Sequence, residues 1–90
     1  MQVRRLVITG VVQGVGFRYA MTAQARLLGV GGWVRNRRDG SVEAMIAGDA
    51  AQIEQMLAWS RNGPAGAVVD KVMVETASGE YPVFELRPTA

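Results

Sequence analysis

Residues 11 to 20, VVQGVGFRYA, place two glycines and one arginine where a strand-like run gives way to a helix-like one. Gly14 and Gly16 permit positive φ and carry no side chains, so successive amides from Gln13 to Arg18 are free to point inward at one spot. That spot lies at the start of a helix, where unsatisfied N–H groups and the helix dipole favour an anion. The dipole disfavours a cation there, so Arg18 is poorly placed unless an anion sits beside it. The chemistry on offer is the binding of one small anion, such as a phosphoryl group. A tight turn with a solvent-facing arginine accounts for the glycines equally well. The loop is not a nucleotide-binding P-loop, because no lysine follows in the G-x-x-x-x-G-K-[ST] pattern, nor is it a dinucleotide fingerprint.

What the chain lacks narrows the chemistry further. It has no cysteine, which excludes disulfides, zinc–thiolate sites and thiol nucleophiles, and no histidine, the commonest general base and metal ligand. Carboxylates, hydroxyls, amides and guanidiniums remain. Nine of the ten cations are arginine, with Lys71 the exception, and the planar guanidinium fork suits phosphate or carboxylate. Codon bias would give the same ratio. At 90 residues, 49% hydrophobic and 20% charged, the composition is that of one compact globule, and residues 1–90 are read as a single domain. No run is long and apolar enough for a membrane span or a signal peptide, so the expected location is the cytoplasm, with no membrane partner.

The elements that must hold the turn follow from periodicity. Residues 3–9, VRRLVIT, read as a strand ending at Gly10. From Phe17 the period changes, with Phe17, Met21, Gln24 and Leu28 on one face, Ala20 and Leu27 beside them, and Gly29 as the C-terminal cap. GWVRN and SVEAMIA form a hairpin around RRDG, where Asp39-Gly40 is the turn signal, and Val42, Ala44 and Ile46 face the core. Asp49 caps a second helix carrying Ile53, Met56 and Leu57, which RNGPAG breaks. AVVDKVMVETA reads as a strand, and VFELR as a last edge strand after Pro82.

This β-α-β-β-α-β order predicts an α+β, ferredoxin-like βαββαβ sandwich, an antiparallel sheet of four to five strands with two helices on one face. Right-handed crossovers put strand three beside strand one and strand two beyond it. The turns after strands one and two then open on the same edge, about 10 Å apart. VQGVGFR and RNRRDG become neighbours. Asn36 in the second segment offers an amide donor and acceptor, enough to hold a water, although an asparagine before a hairpin loop is often turn chemistry alone. Trp33 and Val34 read as core or sheet-face residues, and Arg35, Arg37 and Arg38 as solvated turn charges.

GVVQGVGFR (Gly10 to Arg18) followed by GWVRNRRDGSVEAMIAGD (Gly32 to Asp49) resembles the paired motifs of the acylphosphatase family, small ferredoxin-like enzymes that hydrolyse acyl phosphates. The resemblance continues through MLAWSRNGPAGAVVDKVMVE to FELR. It implies that Arg18 binds the phosphoryl group, that the backbone of Gln13, Gly14, Val15, Gly16, Phe17 and Arg18 forms its cradle, and that Asn36 orients the attacking water. It also implies a small acyl phosphate as substrate, inorganic phosphate as product and competitive inhibitor, and a monomer with neither cofactor nor metal. Gly16 stands where other members have a bulkier residue. The length is unlike that of the larger maturation enzymes that carry such a domain at their N-terminus.

The missing residues agree with that chemistry. A carboxylate departs from an acyl phosphate without a proton, so no general acid is required, and no cluster of carboxylates suggests a two-metal route. The competing class is an RNA-binding module of the same topology, which stacks bases on aromatics of its two central strands. VRRLVIT and SVEAMIA contain no aromatic residue. A non-catalytic anion-binding domain is the other alternative.

Overall fold

Alternation in the first strand puts Leu6 and Ile8 on one face, and both are fully buried. In the computed structural model, which describes residues 1–90, that strand is β1 (Gln2–Val11). It is followed by α1 (Phe17–Leu28), β2 (Gly31–Asn36), β3 (Val42–Gly48), α2 (Ala50–Asn62), β4 (Val68–Thr76) and β5 (Phe84–Leu86). Leu6 and Ile8 join Val34 of β2 and Val42, Ala44 and Ile46 of β3 in one apolar layer. Phe17, Met21 and Ala25 of α1 and Ile53 and Met56 of α2 close over it.

The strand order is β4-β1-β3-β2-β5. β3 pairs antiparallel with both β1 and β2, so β1 and β2 run in the same direction and finish at the same end of the sheet. That is the order the crossover rule predicts. The fifth strand departs from the expected antiparallel sheet, because β5 pairs parallel to β2 and makes the sheet mixed. The cause is the direction of β4. It runs antiparallel to β1 and therefore ends where β2 begins, so the chain that crosses to the opposite edge starts β5 alongside the start of β2.

α1 differs in one detail from its sequence reading. Leu27 is 80% exposed, because it lies six residues beyond Met21, or roughly 240° round the helix from the buried stripe. The two helices begin differently. Asp49 accepts from the Gln52 amide while the Gln52 side chain accepts from the Asp49 amide, a complete capping box on α2. α1 has no side-chain cap, no acidic residue in its first turn, and Gly16 at φ 76° as its N-cap.

The helix-free face of the sheet carries a chain of charges. Glu43 on β3, 5% exposed, accepts from Arg5 Nε of β1 at 2.7 Å and from Arg35 Nε of β2 at 2.7 Å. Arg5 also pairs with Glu75 of β4. Arg35 is therefore a cross-strand partner rather than the solvated turn charge expected from its position near RRDG. It and Arg87 both lie over the Trp33 ring, 4.9 Å from its centroid.

Burial alone pushes the Glu43 carboxyl up, but the hydrogen bonds from Arg35 and Arg5 outweigh it and hold the group below its ordinary value of 4.5. A depressed folded-state pKa means stability that is complete above the unfolded-state value and lost as pH falls through the folded one. Glu43→Gln should cost about 2 kcal/mol at pH 7, less than a fully buried pair because both arginines are partly exposed. In chemical denaturation below pH 4.5, wild type should lose stability more steeply than the variant.

Candidate functional site

The link from β1 to α1 is pinned at two buried side chains. Val12 is 1% exposed, and Phe17 is 2% exposed and meets Trp59 of α2 edge-on, with ring centroids 5.3 Å apart. Between these anchors Gly14 and Gly16 take φ of 74° and 76°, the left-handed region that side chains disfavour. A Cβ at either would meet nothing within 4 Å, so it is backbone conformation rather than space that asks for glycine.

This path leaves a run of amides without partners. From Val12 to Tyr19 no main-chain N–H donates to any acceptor in the protein, and the first bond of the region runs from the Ala20 amide to the Gly16 carbonyl. Four such orphans are normal at a helix start, but here they continue backward into the loop.

Arg18 is half-buried in the first turn of α1, and its Nη1 donates to the Arg87 carbonyl at 3.1 Å. It has no carboxylate within ion-pair distance, whereas Arg5, Arg35, Arg37 and Arg87 each have at least one. One tether thus fixes the guanidinium and leaves its charge uncompensated.

Asn36 is the last residue of β2 and pairs with Val42. Its carbonyl accepts from the Ala90 amide at 3.0 Å, while its side chain makes no hydrogen bond within the protein. The hairpin beyond it is well specified. The Arg37 amide donates to the Ser41 carbonyl, and Asp39 Oδ1 accepts from both the Ser41 amide and hydroxyl, which hold its carboxyl below the usual range.

The structure brings the sequence-predicted residues together. A concavity of about 200 Å³ is lined by Val12, Gln13, Gly14, Gly16, Phe17, Arg18, Tyr19 and Asn36. Val15 is the one residue of the expected loop that does not line it, its side chain packing instead against the core. The only ionisable groups on this lining are the Arg18 guanidinium and the Tyr19 phenol. No group of three or more His, Cys, Asp or Glu side chains clusters anywhere in the protein. The lining supplies hydrogen-bond donors around one cation and no carboxylate, which suits an oxyanion of one or two charges.

Three contributors escape a sequence reading. The Arg87 carbonyl that tethers Arg18 is a backbone group 69 positions away, and nothing in the sequence marks it. Tyr19, 73% exposed at the rim, is an aromatic residue next to a marked one, and nothing in its type sets it apart from a surface tyrosine. The Gln13 side chain donates from Nε2 to the carbonyls of Arg37 and Ser41, although Gln13 is expected to act through its backbone alone. A polar side chain at the head of a glycine turn was the available signal.

Comparison with known proteins bears on what this concavity does. The Acylphosphatase family model matches residues 4–85. An acylphosphatase of Albidiferax ferrireducens is 49% identical over 83 residues, covering 92% of this chain and 90% of that protein. Among solved structures, the acylphosphatase from Bacillus subtilis superposes with a TM-score of 0.92 at 30% identity, over 97% of this chain and 99% of that one. An acylphosphatase from Coxiella burnetii also gives 0.92, at 32% identity, over 96% and 92%. On family match, length and fold together, the chain belongs to the acylphosphatase family of acyl phosphate hydrolases.

Proposed function

We propose that water attacks the phosphorus of the acyl phosphate directly, with the phosphoryl group held by the amides of Gln13 to Arg18 and by the Arg18 guanidinium, and the water held by Asn36. The observation that carries this reading is the run of main-chain amides without acceptors, wrapped round a guanidinium without a carboxylate. Phosphoryl oxygens satisfy both.

In the reaction the P–O bond to water forms as the bond to the acyl oxygen breaks, and the leaving carboxylate takes the electron pair. Being a weak base, it needs no proton. The Asn36 amide accepts from the water through Oδ1 and donates through Nδ2, fixing its approach to phosphorus. With no carboxylate or imidazole on the lining, the water's proton passes to a phosphoryl oxygen of the substrate. Negative charge on those oxygens is met by donors already in place, so little reorganisation is required. The donor set has no use for a metal ion.

All these groups belong to one chain, and the reading needs no second copy. Its partners are the acyl phosphate and inorganic phosphate, which fits the same cradle and competes for it. An RNA-binding role is disfavoured, because the two central strands β1 and β3 carry no aromatic residue on which a base could stack and the Trp33 ring of β2 lies under Arg35 and Arg87.

Steady-state kinetics on a simple aromatic acyl phosphate in EDTA tests the two roles. Arg18→Lys keeps the charge but loses the fork, and KM should rise on the order of tenfold or more; an unchanged KM removes Arg18 from phosphate binding. Asn36→Ala should lower kcat by about 100-fold while inhibition by inorganic phosphate stays within about twofold of wild type. Weakened phosphate inhibition would instead assign Asn36 to the cradle, and an unchanged kcat would leave an anion-binding pocket in which Asn36 handles no water.

A further inference from the structure

We propose that the side chain of Gln13 is a positioning residue, a brace that sets the phosphate cradle at the right distance and angle from Asn36. The inference rests on the water-holding reading of Asn36 and adds a part to it.

Gln13 Nε2 donates to the Arg37 carbonyl at 2.7 Å and to the Ser41 carbonyl at 2.9 Å. Only the –NH₂ end of the amide can face two carbonyls, so its orientation is fixed by its partners. Those two carbonyls flank a single ladder position. Arg37 directly follows Asn36, Ser41 directly precedes Val42, and Asn36 and Val42 are paired across the hairpin. Gln13 therefore grips the neck of the hairpin next to the residue that carries the water-holding amide.

Nothing else on this edge joins the two segments so directly. β1 and β2 are not neighbours, since β3 lies between them, and the other hydrogen-bonded route between the two loops is longer, from Arg18 through the Arg87 carbonyl to the end of β5 and from there to β2. The hairpin itself does not need the brace. The Ser41 carbonyl already accepts from the Arg37 amide at 2.8 Å, and the Arg37 carbonyl from the Gly40 amide at 3.1 Å. Removing the Gln13 donors leaves both carbonyls partnered and exacts little stability. What it removes is the direct connection between a loop that holds phosphorus and a loop that holds water. A displacement of about 1 Å between such groups can cost on the order of 100-fold in rate.

Gln13→Met keeps the length and removes both donors. Its kcat should fall about tenfold, with the KM for an aromatic acyl phosphate and the inhibition constant of inorganic phosphate within about twofold of wild type. The decisive readout is a double-mutant cycle with Asn36→Ala. In that background Gln13→Met should cost less than about twofold in kcat, because the group it positions is gone. A kcat within twofold of wild type for Gln13→Met, an undiminished loss in the Asn36→Ala background, or a loss that appears in phosphate inhibition instead would each overturn the brace. Gln13→Leu, uncharged and equally without donors, runs the same cycle should the methionine variant not fold. If Asn36→Ala itself leaves kcat unchanged, the water-holding reading fails and the brace fails with it. If Asn36→Ala lowers kcat and Gln13→Met does not, only the brace fails.

Discussion

A helix must begin with amides that its own carbonyls cannot reach, and how a protein satisfies them constrains everything placed nearby. α2 answers with a capping box, in which Asp49 and Gln52 exchange hydrogen bonds and close the end off. α1 leaves its end open and extends the open run backward through Gly14 and Gly16, so that the amides from Val12 to Tyr19 have no acceptor in the protein. An acidic cap would have stabilised the helix and filled the site. In its place stands Arg18, a cation at the end of the dipole that disfavours cations, tethered by a carbonyl instead of neutralised by a carboxylate. On the proposed reading, a bound phosphoryl group relieves the orphan amides and the misplaced charge together.

The remaining structure holds that arrangement still. Val12 and Phe17 bury the two ends of the loop, which confines conformational freedom to the glycines between them. The strand order brings the end of β2 to the same edge as the end of β1, and the parallel arrival of β5 brings the Arg87 carbonyl to Arg18. The charged face opposite the helices is tied to the same parts. Glu43 holds Arg35, one residue before Asn36, and Arg35 and Arg87 share the Trp33 ring. A network that looks like surface electrostatics thus reaches the backbone next to Asn36 and the carbonyl that tethers Arg18.

How much of this was legible depends on whether the information was local. The glycines, Arg18, Asn36 and the capping Asp49 are marked by their own type and immediate neighbours, and the element order followed from periodicity. The resemblance of the paired motifs to those of a known family added the rest. Three features were not local. Leu27 belongs to an apolar cluster in sequence, yet its angular position takes it out of the core. Arg35 looks like a turn charge until β3 places Glu43 opposite it. Both partners of the Gln13 amide, and the partner of Arg18, are backbone carbonyls, which every residue possesses and no residue type announces. The residues of the proposed cradle were readable and their supports were not.

In the proposed mechanism, the chemistry asks little of the side chains because the substrate brings a good leaving group and its own proton acceptor, so positioned donors suffice. The claim on which the account stands is a single displacement by water at phosphorus. It is tested most directly by hydrolysing an acyl thiophosphate made chiral at phosphorus with oxygen isotopes, in water carrying the third isotope, and reading the configuration of the thiophosphate released. The account predicts that the isotope from water enters the thiophosphate with inversion. Retention, which requires two displacements through a phosphorylated enzyme, or entry of the isotope into the carboxylate, would contradict it.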